Sequence, residues 1–409
     1  MRSYTIPTPV EEWIHQQLLQ VSGSSSQISA KVLAESIQKM SDFYLQHPLR
    51  PTPWEELWCQ QAQLAYYFPL NFLRNLRVFE ELDKYNFFEN TTNPALSTLN
   101  WFEFGAGLGP SLEAFLHWQD RGLTTSSLST RKPQSKIVAQ LYESSPIAKN
   151  LCQHRWQARH DQLEFYWPHQ KTHPWPHSLP PRSLLVLSYS LTELKDIPEW
   201  IWSADSIIII DPSTRDDGRR LLNLRAIALQ KGYSVIAPCT HQEACPLLLH
   251  SSKDWCHDRF KFDRPKWLLD IENHLPFKNQ TLTLSYLALQ RSTITAQATN
   301  SPVQLSSLSS MDSRNSNVLM PHSKTLSIPG EEVIHKTDSL ARVTGDFLNE
   351  KGKTRQLVCR NSEREFLTFI KKNSTPIEFF RGDLISFPQN IDKKGNELRP
   401  LLPTHKEES

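Results

Sequence analysis

The stretch Asn100-Trp101-Phe102-Glu103-Phe104-Gly105-Ala106-Gly107-Leu108-Gly109-Pro110-Ser111 decides how this chain folds. Its first five residues are a short apolar run of strand length, and a helical stretch from Leu112 to Trp118 follows the glycines. Three glycines at alternate positions allow a tight turn and a close approach of backbone to a ligand. The next helix presents free N–H groups at its start. Strand, glycine turn and helix in this order read as the opening of an α/β sheet of the doubly wound type.

Downstream of the turn the same alternation continues. Strands are expected at 136–143, 184–188, 206–210 and 234–237, with a late one at 282–289, where Leu282, Leu284, Tyr286 and Ala288 alternate with Thr283, Ser285, Leu287 and Leu289. Upstream, from Val10 to Leu82, apolar residues recur at helical spacing (Trp13, Leu18; Val32, Leu33, Ile37, Met40; Leu64, Phe68, Phe72, Leu76, Phe79). Breaks fall at Gly23-Ser24-Ser25-Ser26 and between Pro48 and Pro53. The aromatic segment 63–72 reads as core at this spacing, with base stacking as the other use.

Two acids flank the glycine turn at strand ends. Glu103 stands two positions before the first glycine, where an S-adenosylmethionine site holds the cationic end of its cofactor; a dinucleotide site would show Gly-x-Gly-x-x-Gly and a different acid. Glu143 closes the next expected strand, where a carboxylate accepts the ribose hydroxyls. Glu103, Gly105, Gly107, Gly109 and Glu143 are therefore the expected cofactor-binding residues, in a cleft at the carboxyl ends of the strands.

Half of the six cysteines fall within eighteen positions. They lie in Ala237-Pro238-Cys239-Thr240-His241-Gln242-Glu243-Ala244-Cys245-Pro246 and in Asp254-Trp255-Cys256-His257, and Cys359 stands about a hundred residues further on. The spacing looks like a metal or iron-sulfur site closed by two distant parts of the chain, with buried apolar thiols as the alternative. A disulfide framework is disfavoured, because no secretory signal is seen at the N-terminus. Cys59 and Cys152 read as buried thiols.

With these segments in view, the chain resembles the small-ribosomal-subunit methyltransferase-like family. The blocks that carry the resemblance are 102–110, Ser188-Tyr189-Ser190-Leu191-Thr192-Glu193-Leu194, Asp211-Pro212-Ser213-Thr214 running on to 229, the two cysteine segments, and Leu357-Val358-Cys359-Arg360. The resemblance implies a class I S-adenosylmethionine-dependent methyltransferase (Rossmann-like) fold, S-adenosylmethionine binding, association with the small ribosomal subunit and its rRNA, and a role in ribosome assembly or translation. It also implies a four-cysteine iron-sulfur cluster with Cys239, Cys245, Cys256 and Cys359 as ligands. Four thiolates suit a 4Fe-4S cluster as they suit structural zinc, so zinc is the alternative metal. His241 and His257 rank below the cysteines, as substitute ligands or as donors to sulfur.

This sequence departs from the family at Asp211-Pro212-Ser213-Thr214, where Glu and Gly are common, and keeps only part of an aromatic-Gly-Asp ending at Phe380-Arg381-Gly382-Asp383. More consequential is the place after the fourth strand. Amino methyltransferases carry an Asn or Asp, two prolines and an aromatic there to grip the target amine; here it reads Ser188-Tyr189-Ser190-Leu191. No catalytic residue is assigned, and whether the chain turns over a methyl group stays open.

Length and composition set the remaining bounds. A chain of 409 residues exceeds one ordinary core. The expected division is a helical N-terminal region (1–95), a methyltransferase-like α/β domain with the cysteine cluster (96–291), a flexible Ser/Thr-rich insertion (292–339), a small β unit carrying the fourth cysteine (340–390) and a disordered tail (391–409). The net charge of +2 names no partner by itself. A local excess of Lys351, Lys353, Arg355, Arg360, Arg364, Lys371, Lys372 and Arg381, with a second basic stretch at 259–266, suits rRNA phosphates or a solvated strand face. No apolar run is long enough to span a membrane and no targeting segment is seen, so a cytoplasmic monomer is expected. Three readings follow: a ribosome assembly factor that holds the cofactor and the cluster, an active rRNA methyltransferase, or a zinc-binding RNA module without cofactor. A radical enzyme is disfavoured, because the three-cysteine motif that leaves one iron open is missing.

Overall fold

The computed structural model describes residues 3–91, 98–124, 136–159, 161–168, 179–194, 196–291, 324–325, 339–372, 375–387 and 391–400. Ahead of the sheet come α1 (Thr8–Ser22), α2 (Ala30–Gln46), α3 (Leu57–Ala62), α4 (Phe68–Asp83) and α5 (Phe87–Thr91). Helix α1 stops where Gly23 takes a φ of 59° and its N–H returns to the carbonyls of Gln20 and Leu19. Helix α2 starts on Ser29, whose hydroxyl accepts the Val32 N–H. Between α3 and α4 one π turn, Gln63–Tyr67, carries the Phe68 N–H back to Gln63. Pro69 has no N–H to continue the α ladder, so the hydrogen bonding widens there.

Helix α4 is buried on most of its faces, by Phe68, Phe72, Leu76, Phe79 and Leu82 but also by Asn75 and Glu81. It therefore lies between the outer helices and the sheet. The aromatic segment 63–72 is core, as its spacing indicated: Tyr66, Phe68 and Phe72 point inward and offer no face to a base.

The sheet consists of β1 (Thr98–Phe104), β2 (Lys136–Tyr142), β3 (Leu163–Tyr166), β4 (Ser183–Ser188), β5 (Ser206–Asp211), β6 (Tyr233–Ala237), β7 (Asp258–Lys261) and β8 (Thr281–Arg291). Its order is β3-β2-β1-β4-β5-β8-β6, and β8 alone on this path runs antiparallel to its neighbours β5 and β6. Helices α6 (Pro110–Thr124), α7 (Pro146–Cys152), α8 (Arg215–Gln230), α9 (Pro246–His250) and α10 (Lys266–Glu272) make the connections. A parallel sheet with one late antiparallel strand inserted before the last is the class I methyltransferase architecture. The central strand shows why the run Ile207-Ile208-Ile209-Ile210 carries no polar alternation: both of its faces are covered. Strands β3 and β7 escape a sequence reading. The first is a four-residue edge strand with only Leu163 buried, and the second reads as a basic stretch but pairs with the leading half of β8.

A second sheet holds β9 (Lys324–Thr325), β10 (Ser339–Val343), β11 (Leu348–Glu350), β12 (Lys353–Cys359), β13 (Glu365–Ile370), β14 (Leu384–Phe387), β15 (Asp392–Lys394) and β16 (Glu397–Arg399). Its order is β15-β16-β13-β12-β10-β14-β9, with β11 on β12. Ala341, Val343, Val358, Leu367, Phe369, Ile385 and Leu398 form its core. Residues 391–400, read as tail, are thus part of the sheet: β16 runs parallel to β13, and Leu398 is the buried anchor. Residues 401–409 and most of the expected insertion lie outside the described residues. Among the described residues no helix is long and apolar enough to cross a membrane.

Candidate cofactor cleft and cysteine site

The glycine turn closes against β2. The N–H groups of Gly105 and Ala106 both donate to the Tyr142 carbonyl, at 2.8 and 3.1 Å, and Gly105, Gly107 and Gly109 have φ values of 68°, 54° and 69°. Side chains are strained in this left-handed region. The three glycines differ in what surrounds them. A Cβ on Gly105 would overlap Ser190 and one on Gly109 would overlap the Trp156 ring, whereas at Gly107 the nearest atom is Trp54 Cζ2, 3.9 Å away. Gly105 and Gly109 are packing glycines, and Gly107 marks the open side of the turn.

Both expected acids reach this turn. Glu143 accepts the Gly107 N–H on one oxygen at 2.9 Å and the Ser145 N–H on the other at 2.8 Å. Glu103 is 1% exposed and lies beneath the turn, where it accepts from Trp101 Nε1 at 3.0 Å and from the Ser111 hydroxyl at the start of α6. Burial pushes its carboxyl up to about 7 against these two hydrogen bonds.

What covers the turn comes from outside the sheet. The loop after α2 brings Trp54 over Gly107, and Thr52 bonds to Tyr44 and to Glu193 of the segment after β4. Burial, with the Glu143 charge adding repulsion, raises Glu193 to about 7. Asp211, at the end of β5, is fully buried with no partner for either oxygen among the described residues, and burial lifts it to about 7 as well. Ser188 accepts from Asn75 of α4 at 2.9 Å, and the Arg74 guanidinium sits 5.7 Å from the centre of the Tyr189 ring. Helix α4 thus contacts the segment that follows β4.

At the far end of the sheet the four cysteines converge. Cys239 and Cys245 follow β6, Cys256 precedes β7, and Cys359 ends β12 of the second sheet. Cys239 acts electrostatically on the other three, Cys245 on Cys256 and Cys359, and Cys256 on Cys359. Burial is the main cause that raises Cys245, Cys256 and Cys359 above the usual thiol value, with the neighbouring sulfurs adding to it. Cys245 packs with Leu222, Leu247, Leu357 and Phe366, and Cys256 lies against this cluster. Among the described residues no group of three His, Cys, Asp or Glu side chains converges as one metal ion requires. Cys59 and Cys152 are fully buried elsewhere.

Two arginines organise this region, and sequence reading missed both. Arg225 of α8, 1% exposed, donates from Nε to Cys239 Sγ at 3.0 Å and from Nη2 to the His241 carbonyl at 2.9 Å. Its position on the apolar face beside Leu221, Leu222, Leu224 and Ala228 was the available signal. Arg342 of β10 is equally buried. His241 Nε2 lies 3.3 Å from Cys359 Sγ, and burial holds its imidazole at about 4, so it faces the sulfurs neutral. His257 instead turns toward Arg381 and stacks on Trp255.

The basic excess of the second sheet is largely neutralised within the protein. Lys353 pairs with Glu397, Arg355 with Glu350, Arg360 with Glu365, Arg364 with Asp254 and Arg381 with Asp346. Arg259 shares Asp346 and Arg264 pairs with Glu272.

Strand order and glycine turn define a methyltransferase-like α/β protein. The family model described as mitochondrial small ribosomal subunit Rsm22 matches residues 90–318, more than half of the chain, and the chain belongs to that family. A search of the curated proteins finds no match. Among solved structures, a Pyrococcus horikoshii protein assigned as an RNA methyltransferase is 11% identical over 64% of this chain and 98% of its own, with a TM-score of 0.30. TYW2 of the same organism, solved in complex with MeSAdo, is 10% identical over 49% of this chain and 60% of its own, with a TM-score of 0.25. A Listeria monocytogenes protein assigned as a class I S-adenosylmethionine-dependent methyltransferase is 11% identical over 71% of this chain and 90% of its own, with a TM-score of 0.36. At these scores no function is transferred from the structures.

Proposed function

We propose that this protein acts on the small ribosomal subunit, in assembly or translation, with S-adenosylmethionine in the cleft at the glycine turn and a 4Fe-4S cluster on Cys239, Cys245, Cys256 and Cys359. The observation that carries the reading is the convergence of four thiols from three separate segments of chain beside a buried guanidinium. Neutral thiols in an apolar pocket need no Arg225; thiolates on a metal do, because the cation and its N–H offset their charge. Four thiolates suit a 4Fe-4S cluster as they suit structural zinc, and metal analysis separates the two. When bound, such a cluster would tie the second sheet to the methyltransferase-like sheet through Cys359.

In the cleft, Glu143 and the open side of Gly107 suit the ribose, and Glu103 lends negative potential from below the turn. The engagement of Ser188 and Tyr189 by α4 supports cofactor binding without methyl transfer. The internally paired basic residues of the second sheet leave Lys351 and Lys372, rather than the whole set, as the phosphate contacts of this reading. The test is anaerobic purification with iron, sulfide and zinc analysis and an absorption spectrum. Iron and sulfide near four per chain, lost in Cys239→Ser with Cys256→Ser, are expected for a 4Fe-4S cluster. A colourless protein that carries zinc or no metal would refute the cluster.

A further inference from the structure

Arg342 is 1% exposed and lies on β10 at the position paired with Cys359 of β12. From that place its guanidinium reaches every other segment of the cysteine site. Its Nε donates to the Pro238 carbonyl, one residue before Cys239. Its Nη1 donates to Asp258, two residues after Cys256, at 3.3 Å and to the Gly382 carbonyl at 2.8 Å. Its Nη2 donates to Glu81 of α4 at 2.6 Å. Gly382 makes the approach possible, since with a φ of 89° it sits so close to the Asp258 carboxylate that a Cβ there would overlap it. The turn is held on both sides, by Gly382 N–H to Val343 and by Arg259 N–H to the Arg381 carbonyl.

We infer that Arg342 is the positioning residue of the cysteine site: it sets where Cys359 lies relative to Cys239 and Cys256. The inference rests on the cysteine reading above. Cys359 arrives on a sheet of its own, and a shift of β12 along the interface would carry its sulfur away from the others. A planar, always-charged fork with several donors can hold three backbone segments in one geometry, which an ammonium cannot. Outer contacts of this kind fix metal ligands before the metal arrives. The other contacts with the Cys239 segment, Thr240 hydroxyl to the Cys359 carbonyl at 3.1 Å, His241 Nε2 to Cys359 Sγ at 3.3 Å and the Ser362 N–H to Glu243 at 3.0 Å, each tie one pair of segments, whereas the Arg342 fork ties β10 to the Cys239 and Cys256 segments at once.

The test uses full-length protein stripped of metal by chelation under reducing, anaerobic conditions, treated with dibromobimane, and mapped for the Cys239–Cys359 and Cys256–Cys359 cross-links. Glu81→Gln and Asp258→Asn each remove one charged acceptor from the same guanidinium, but only Asp258 belongs to a cysteine segment. Positioning predicts that Asp258→Asn lowers both cross-links several-fold while Glu81→Gln leaves them near the parent yield. Arg342→Lys, checked for folding by circular dichroism, should behave as Asp258→Asn and retain iron, after reconstitution with ferrous iron and sulfide, about ten-fold less well. Parent-level cross-linking in Asp258→Asn, or equal losses in Asp258→Asn and Glu81→Gln, would overturn the inference. A parent protein that takes up no iron, yet loses the cross-links in Asp258→Asn, would sink the cluster and leave the positioning role standing.

Discussion

The Glu143 carboxylate accepts the Gly107 N–H at 2.9 Å and so joins the end of β2 to the open side of the glycine turn. Its other oxygen takes the Ser145 N–H at 2.8 Å, which fixes the plane of the carboxylate. A group held in this way keeps lone pairs free at a fixed angle toward the cleft. Glu143→Gln offers one acceptor oxygen where two are used, so either Gly107 or Ser145 loses its partner. Hydrogen bonds to a charged group contribute about 1.5–3 kcal/mol, so affinity for S-adenosylhomocysteine should fall roughly ten- to hundredfold. Isothermal calorimetry checks this, and an unchanged affinity would remove Glu143 from the cleft.

Two glycines of one turn should respond differently to alanine. Both Gly107 and Gly109 have positive φ, which costs an alanine about 1–2 kcal/mol. At Gly109 the Cβ also meets the Trp156 ring, which is itself held by Glu113 through Trp156 Nε1 at 2.8 Å. Gly109→Ala should therefore lower the melting temperature more than Gly107→Ala does. Gly107→Ala, whose Cβ meets Trp54 only at an ordinary contact distance of 3.9 Å, should lose ligand affinity out of proportion to its stability loss. Thermal melts with and without S-adenosylhomocysteine separate the two, and equal ligand-induced shifts would contradict the assignment of Gly107 to the open side.

The parts of the fold legible in the sequence are those whose signal is local. The glycine turn, the isoleucine run of β5 and the capped helices α1 and α2 each announce themselves within about ten residues, because φ requirements, double-sided burial and capping act at that range. The cysteine segments were visible through residue type and spacing. What was not legible depends on register between distant strands. Nothing near Arg342 signals that it will stand opposite Cys359, and nothing near Trp54 signals that it will face Gly107. The ion pairs of the basic residues in the second sheet were not legible for the same reason: Lys353 meets Glu397, and Arg364 meets Asp254, across gaps no pattern spans.

Glu103 should give the apo protein a specific pH response. Its carboxyl lies near 7 in the folded chain against 4.5 as an ordinary glutamate, with burial as the first cause. The folded state therefore holds the proton more tightly than the unfolded state, and stability attributable to this group falls as pH rises from 4.5 toward 7. A rise of this size corresponds to about 3 kcal/mol. Glu103→Gln, neutral at every pH, should gain on the parent by up to about that amount between pH 5 and 7.5 in urea unfolding. Ligand affinity should move the other way in the parent, strengthening toward pH 7.5 as the carboxylate forms beneath a cationic ligand. A parent-to-variant difference that does not vary with pH would show that Glu103 is ionised throughout.

The second sheet should loosen when the cysteine site is emptied. Its contacts with the methyltransferase-like sheet include the apolar group Leu222, Leu247, Leu357 and Phe366, the Arg342 fork, the Cys359 segment and the outer pairs Arg364–Asp254 and Arg259–Asp346. The apolar group is small, and the buried ion pairs hold geometry more than they stabilise. Metal binding at thiols drawn from both sheets is then a large part of the free energy that keeps them together. Removal of iron by chelation should raise hydrogen exchange in β12 and in residues 239–245 at once, while β1, β4 and β5 keep their protection, because of the four cysteines only Cys239 touches their core and none is part of it. Cys359→Ser should reproduce the pattern without a chelator. Exchange that rises only around the cysteine segments after β6, with β12 unchanged, would mean that Cys359 is not a ligand and that the apolar contact alone holds the sheet in place.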